Sequence, residues 1–274
     1  MNVRKFTDAE IASYQQHGAA YIPNFVDPQT VEDMLNVATD QQRPQGKYKN
    51  ALSESGSFSE ERFIYTADDR LNDYVLNERI GESIGRAMRT NRVRVLFDHL
   101  FCCGPDTPMD YYWHQDISYW PLDGDQVCSI WLTLTDCDVQ SSALQIVLDS
   151  DKGKIFPIRP FGEEDFGDEA KQNYDTGTIP EYDKLREQYS ILSRDLKAGD
   201  AFLFNARVMH SSAGNRSSSR GRVAYSVRYI GEDVTWCPRP AFDQEALTPR
   251  GRPLAVGEKF EGSEYPVIWQ RDSK

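Results

Sequence analysis

Two kinds of hydrophobic spacing divide the chain. Over its first third the apolar residues recur every three or four positions: Ile11 and Tyr14, then Val31, Met34, Leu35 and Ala38, then Ile80, Ile84, Ala87 and Met88. That is the period of a half-buried helix. Helix punctuation accompanies each set. Thr7-Asp8-Ala9-Glu10 has the form of a capping box, and Gly18 can end the helix. Asp27-Pro28 offers an N-cap followed by a first-turn proline, and the third set begins after Asn77. From about residue 92 the pattern changes to short extended runs: Val93, Val95 and Phe97 alternate, and residues 127–134, 143–148, 201–204 and 223–229 are β-branched or aromatic blocks. Helices first and many short strands afterwards predict a mainly β protein with flanking α-helices, a sandwich or jelly roll. The chain reads as one domain over 1–274, with a helical part at about 5–90, a jelly roll at about 91–235 and a tail at 236–274. The polar, acidic stretch 160–190, which carries Phe161, Phe166 and Tyr174, is expected to be a surface insertion covering a pocket.

Charge and composition narrow the classes of function. The 274 residues include 43 acidic and 31 basic side chains, a net charge of −12, which argues against nucleic acid as a partner. No apolar run approaches the roughly 20 residues of a membrane span, so no membrane insertion is expected. The N-terminus MNVRKFTDAE lacks the apolar core of a secretory signal, and the chain reads as cytoplasmic. The five cysteines, Cys102, Cys103, Cys128, Cys137 and Cys237, fit neither a disulfide framework nor a zinc ribbon. The expected partner is a small-molecule substrate; a homodimer is left open.

With only four histidines, their company is informative. In His114-Gln115-Asp116 an imidazole and a carboxylate stand two residues apart, and on a strand both would point to one face. His210 follows the apolar run 201–204. If antiparallel strands bring it opposite His114, two imidazoles and one carboxylate occupy one face of a metal and leave other positions open, a set suited to non-haem Fe(II). Alone, a His-X-Asp triplet is commonly an Asp orienting its neighbour. His17 is read as closing a polar helix, where a cation favours the dipole. His99, on the strand with Val95 and Phe97, is read as an inward-facing histidine of core or cavity, and Cys102-Cys103 as buried filler.

The residues around these histidines say more. Tyr112-Trp113-His114-Gln115-Asp116, Tyr119-Trp120-Pro121-Leu122 and Ser129-Ile130-Trp131-Leu132-Thr133-Leu134 surround the first motif. The second is set in Ala198-Gly199-Asp200-Ala201-Phe202-Leu203-Phe204, His210-Ser211-Ser212-Ala213-Gly214-Asn215-Arg216-Ser217 and a strand ending Arg228-Tyr229-Ile230-Gly231. Over roughly residues 5–240 the chain resembles the phytanoyl-CoA dioxygenase family of Fe(II)/2-oxoglutarate oxygenases. The resemblance implies a double-stranded β-helix (jelly roll, cupin-like) and makes His114, Asp116 and His210 iron ligands, with Fe(II), 2-oxoglutarate and O2 as cofactor and cosubstrates. Related halogenases replace the carboxylate ligand by a small residue, so Asp116 implies oxygen chemistry.

The far carboxylate of 2-oxoglutarate needs a guanidinium. Family members carry it about a dozen residues after the distal histidine, which leaves Arg220 and Arg222; strand register favours Arg222. Ser212 and Trp131 are further cosubstrate contacts implied by the resemblance. Gln115, on the other face of the strand, is grouped with them as a support for the ligands. Arg62 stands where some relatives supply such a contact, and where a surface charge is equally expected. Tyr111, Trp113, Tyr119 and His99 are expected around a substrate pocket. The chain departs from the family at Phe101-Cys102-Cys103-Gly104-Pro105, at Ser141-Ser142-Ala143-Leu144 and at Asp149-Ser150-Asp151-Lys152. Its acidity discourages an acyl-CoA substrate. The resulting expectation is oxidation (hydroxylation, desaturation or rearrangement) of a small, mainly apolar metabolite in biosynthesis. The alternatives are a catalytically silent jelly roll that senses 2-oxoglutarate or a related acid, and a cupin-like enzyme that works without it.

Overall fold

The computed structural model describes all residues except 41, 47, 52–56, 108–110, 158–177, 240–253 and 273–274. In chain order the elements are α1 (Asp8–His17), β1 (Ala19–Ile22), α2 (Pro28–Thr39), β2 (Tyr48–Ala51), β3 (Phe58–Arg62), α3 (Asp69–Val75) and α4 (Glu78–Met88). There follow β4 (Arg92–Cys103), β5 (Tyr111–His114), β6 (Leu122–Asp123), β7 (Val127–Thr133), β8 (Leu144–Val147), β9 (Ile191–Leu192), β10 (Ala201–Asn205), β11 (His210–Ser212), β12 (Arg222–Ile230), β13 (Thr235–Trp236) and β14 (Val267–Gln270).

The helix signals act as the sequence implies. Thr7 and Glu10 form a reciprocal capping box on α1, and Gly18 closes it with φ 73° while its amide donates to the Tyr14 carbonyl. Asp27 caps α2 and Asn77 caps α4. Two expectations change. The part read as helical, 5–90, also carries β1, β2 and β3, whose short runs are too brief to show a period of two, and α3 precedes the predicted third helix. The tail read at 236–274 contributes β14, which pairs with β4.

The fold is mainly β and antiparallel. A large sheet runs β1-β10-β7-β12-β4-β3-β2, with β14 also on β4, and a small sheet runs β5-β11-β8-β9. The central strands β7, β10 and β12 are buried on both faces, which explains the near-continuous apolar sequence of β7 and β10. Ile130, Leu132, Leu203, Tyr225, Val227 and Tyr229 face Met34, Val37, Ile80 and Ile84 of the helices. The alternate residues face the small sheet. At one end of this inner space Trp131, Phe202, Phe204 and Ala224 pack on Leu144 and Ile146. At the other, Leu96, Phe97 and Val127 pack on Ile117 and Trp120. The polar residues described next line this inner space from both sheets.

Of the 160–190 stretch, Phe161, Phe166 and Tyr174 lie outside the described residues. In the described remainder, Ile179, Tyr182 and Tyr189 pack with Trp113, Val147 and Met209 in a separate cluster. All five cysteines are free. Among the described residues no helix is long and apolar enough to cross a membrane.

Candidate metal centre

β11 pairs with both β5 and β8, and its register puts His210 directly opposite His114. Their rings lie 4.2 Å apart between centroids. Asp116 reaches the same point by a different route from the one its spacing suggests. β5 ends at His114, and Asp116 opens a 3-10 turn over Asp116–Ser118, pinned by the Ile117 amide donating to the Ala206 carbonyl (2.9 Å). The turn brings Asp116 Oδ1 to 3.9 Å from His114 Nε2 and 3.7 Å from His210 Nε2. One donor atom from each of the three lies within 4.8 Å of the others, as ligands of a single ion do.

Each ligand is oriented by its remaining polar atom. His114 Nδ1 bonds the Tyr112 carbonyl at 2.7 Å and His210 Nδ1 the Val208 carbonyl at 3.1 Å. A carbonyl only accepts, so both Nδ1 atoms carry the proton and both Nε2 lone pairs are left for a metal. Ser129 Oγ donates to Asp116 Oδ2 at 3.2 Å, which leaves Oδ1 toward the histidines. Burial lowers the pKa of both imidazoles, His210 to about 4, so they stay neutral at Nε2. Burial alone would raise the Asp116 pKa, but His210, Arg228, His114 and the Ser129 hydroxyl more than reverse it and keep the carboxylate charged. Two neutral imidazoles and one carboxylate, with their outer atoms tied down, fit a divalent transition metal.

A second cluster lies along the inner face. Arg222, 3% exposed, donates from Nη2 to Ser142 Oγ at 3.0 Å, and Ser142 Oγ lies 2.7 Å from Ser212 Oγ. The guanidinium stands 5.8 Å from the Trp131 ring and 6.0 Å from that of Phe58. Its Nε has no hydrogen-bond partner, and no carboxylate among the described residues pairs with it. Ser142 holds a left-handed backbone with φ 71°, unusual for a residue with a side chain, and this aims its hydroxyl into the cluster. Arg220 is at the surface, paired with Asp138 at 2.7 Å.

The other expected residues are placed unevenly. Ser212 and Trp131 join Arg222. Gln115 does not: its amide donates to the Lys154 and Arg207 carbonyls and accepts from the Phe156 amide, so it braces the motif from behind. Arg62 pairs across β3 and β4 with His99, away from the Arg222 cluster, and its Nη2 lies 3.7 Å from Glu60 Oε1. Tyr111 and His114 share a side because a bulge opposite His210–Ser212 inserts an extra residue; their rings are 6.3 Å apart. Tyr119 meets His114 edge-on at 5.6 Å. Trp113 is the exception among the pocket expectations. It sits in the separate cluster with Tyr182, and its indole donates to Asp183 Oδ2 at 3.0 Å. His99 is buried, with Nε2 2.9 Å from Glu60 Oε2 and its ring 3.8 Å from that of Phe101. His17 ends α1 and contacts Asp149 at 3.0 Å. Sequence reading missed Glu60, Ser129, Ser142, Ser226 and Arg228. The last two were within reach, since 222, 224, 226 and 228 alternate on one face of a strand.

The sequence profile of the phytanoyl-CoA dioxygenase (PhyH) family matches residues 14–224. No curated protein sequence matches the chain. Among solved structures it resembles the non-haem α-ketoglutarate-dependent carbocyclase SnoK of nogalamycin biosynthesis, at 19% identity, a TM-score of 0.70 and 96% of each chain covered. It also resembles the epimerase SnoN of the same biosynthesis, at 18% identity and a TM-score of 0.73, with 96% of this chain and 98% of that one covered. EctD from S. alaskensis, solved with 2-oxoglutarate and 5-hydroxyectoine, shares 14% identity at a TM-score of 0.66 over 94% of this chain and 89% of its own. At such identities the likeness establishes a common jelly-roll fold, while the family profile spans most of the chain. The chain belongs to the phytanoyl-CoA dioxygenase family of Fe(II)/2-oxoglutarate-dependent oxygenases.

Proposed function

We propose that the chain oxidises a small, largely apolar metabolite by hydroxylation, desaturation or rearrangement, with His114, Asp116 and His210 holding iron and Arg222 holding the far carboxylate of 2-oxoglutarate. One observation carries this reading: a two-histidine, one-carboxylate set on the small sheet faces, across the inner space, a buried guanidinium on the large sheet that pairs with no carboxylate among the described residues. The structural relatives add support, since SnoK and SnoN are named as α-ketoglutarate-dependent enzymes from nogalamycin biosynthesis.

Fe(II) with 2-oxoglutarate and O2 would supply the oxidising power for a C–H bond. The chain's own residues set where that power is applied. Arg222, with Ser142 and Ser212 beside it, offers a carboxylate two kinds of donor, guanidinium N–H and hydroxyl. Trp131 shields that ion pair from water, which strengthens it. Tyr111, Tyr119 and Phe101 supply aromatic surface beside His114, against which an apolar substrate body would rest.

The test is succinate formation from 2-oxoglutarate under Fe(II) and O2, combined with a metabolite screen by mass, +16 for hydroxylation and −2 for desaturation. Losing a metal ligand should lower succinate release at least about a hundredfold in His114→Ala, and Arg222→Met should raise the 2-oxoglutarate KM at least about tenfold. Undiminished turnover in His114→Ala would refute the ligand assignment.

A further inference from the structure

Arg222 is not the only buried cation on the inner face of β12. Two alternations along the strand, Arg228 is 5% exposed and its register partner on β7 is Ser129, the residue whose hydroxyl holds Asp116. Opposed residues of an antiparallel pair project to the same face, so Arg228 stands beside the metal carboxylate just as Arg222 stands beside the cosubstrate serines. Its guanidinium lies 4.9 Å from the Phe97 ring and 5.8 Å from those of Phe101 and Trp120. Those rings cover its faces and leave its edge of N–H donors for hydrogen bonding. Among the described residues only one acceptor meets that edge, the Ser226 carbonyl at 3.2 Å from Nη1, and Nε has none.

Nor is its charge balanced. Three carboxylates are near enough to be felt by it, Asp116, Glu60 and Asp98, and each is engaged elsewhere. Asp116 faces the histidines and Ser129. Glu60 contacts His99, and Asp98 accepts from the Tyr225 hydroxyl and the Tyr65 amide. None forms an ion pair with Arg228 among the described residues. Between the two arginines, Ser226 Oγ is a further buried hydroxyl with no partner, and Ala224 leaves the face low. Asp98 opposes Val227, so its side chain lies on the helix side of the sheet with Tyr225 and not beside the Arg228 guanidinium. A buried guanidinium with unused donors and no carboxylate directly paired to it is costly unless a ligand supplies the anion.

We propose that Arg228 is the substrate-recognising cation of this enzyme, so that the substrate is an acid: an apolar body carrying one carboxylate or comparable monoanionic group, which takes the free N–H edge of Arg228 while the body lies against Phe97, Phe101 and Trp120. This deepens the oxygenase reading and rests on it for the assignment of Arg222 to 2-oxoglutarate. Arg228 is a positioning group; no proton or electron passes through it.

The experiment uses the full chain with Fe(II) and 2-oxoglutarate under anaerobic conditions. Phenylacetate, cinnamate and decanoate are each compared with their methyl esters, by tryptophan fluorescence and calorimetry. The acids should bind at least about tenfold more tightly than the esters, and Arg228→Met should erase that difference while Arg228→Lys keeps part of it. Arg228→Met should leave the 2-oxoglutarate affinity within about twofold and the ligand-free thermal midpoint unchanged or raised, because an uncompensated buried charge has been removed. An equal response of the wild-type chain to acids and esters, including no response to either, overturns the proposal. So does a 2-oxoglutarate affinity that collapses in Arg228→Met, which would give this arginine to the metal and cosubstrate site, or a large fall in the midpoint, which would make it structural. Arg222→Met is the separate control: unchanged 2-oxoglutarate binding there refutes the cosubstrate assignment whatever Arg228 does.

Discussion

A histidine becomes a usable metal ligand when its second nitrogen is fixed, and here a backbone carbonyl two residues earlier does this twice, Tyr112 for His114 and Val208 for His210. That arrangement is local in sequence, which is why the ligands could be read from two short motifs. Asp98 shows the opposite case, an ionisable group whose state depends on distant partners. It is fully buried, accepts from Tyr225 and Tyr65, has an orphaned Oδ1, and burial raises its pKa to about 6. Below about pH 4 it is protonated in folded and unfolded chains alike, so its contribution is then at its best. Between there and about 6 the folded chain keeps a proton that the unfolded chain has released, so stability falls as pH rises. At about 1.4 kcal/mol per unit the loss amounts to roughly 2–3 kcal/mol. Asp98→Asn cannot ionise, and its stability relative to wild type should therefore rise by about that amount from pH 4 to pH 8. Urea unfolding at both values measures it, and a difference that stays flat would show Asp98 to be unperturbed. The buried partners of single residues are what the sequence conceals: Arg222 was found through its spacing from His210, whereas Arg228, Ser142 and Glu60 acquire meaning only from neighbours on other strands.

Elements with strong end signals, such as α1, α2 and α4, were legible, and so were the strands built on apolar runs of four residues or more. β1 to β3 and β14 were not, because each is too short to show a period of two, and β1 and β14 also pair with strands far along the chain. β14 nevertheless explains a feature of α4 that helix propensity does not. Gly81 and Gly85 sit one turn apart on the helix face that receives Trp269; a Cβ on Gly81 would lie 2.6 Å from the Trp269 Cβ, and one on Gly85 would strike the indole. In an open helix Gly→Ala stabilises by about 1 kcal/mol, while overpacking costs about 1–3 kcal/mol. Gly85→Ala should therefore be destabilising in the wild-type chain, by up to about 2 kcal/mol, and stabilising by up to about 1 kcal/mol in a Trp269→Ala background. The sign reversal in a double-mutant cycle is the diagnostic, and the same sign in both backgrounds would rule out the close approach as the reason for glycine.

At the scale of the whole molecule, the site exists only when β5, β7, β8, β11 and β12 are assembled, since the ligands and Arg222 come from segments separated by most of the jelly roll. An unfolded chain offers no such set, so whatever binds the site stabilises the fold. Metal at a hundred times its dissociation constant adds about 2.7 kcal/mol, which for a chain of this size raises the thermal midpoint by roughly 5–10 °C. The two clusters on the inner face make the response to 2-oxoglutarate conditional. On the proposed assignment one end of the diacid goes to Arg222 and the other to the metal, and neither anchor alone should hold it well. Mn(II) should therefore raise the midpoint by itself; 2-oxoglutarate should do little without metal and add a further rise with it. Arg222→Met should keep the metal increment and lose the 2-oxoglutarate increment, whereas His114→Ala should lose both. A 2-oxoglutarate increment that survived intact in His114→Ala would mean that the diacid is gripped by the protein alone, and the coupling between the serine–arginine cluster and the metal centre would have to be abandoned.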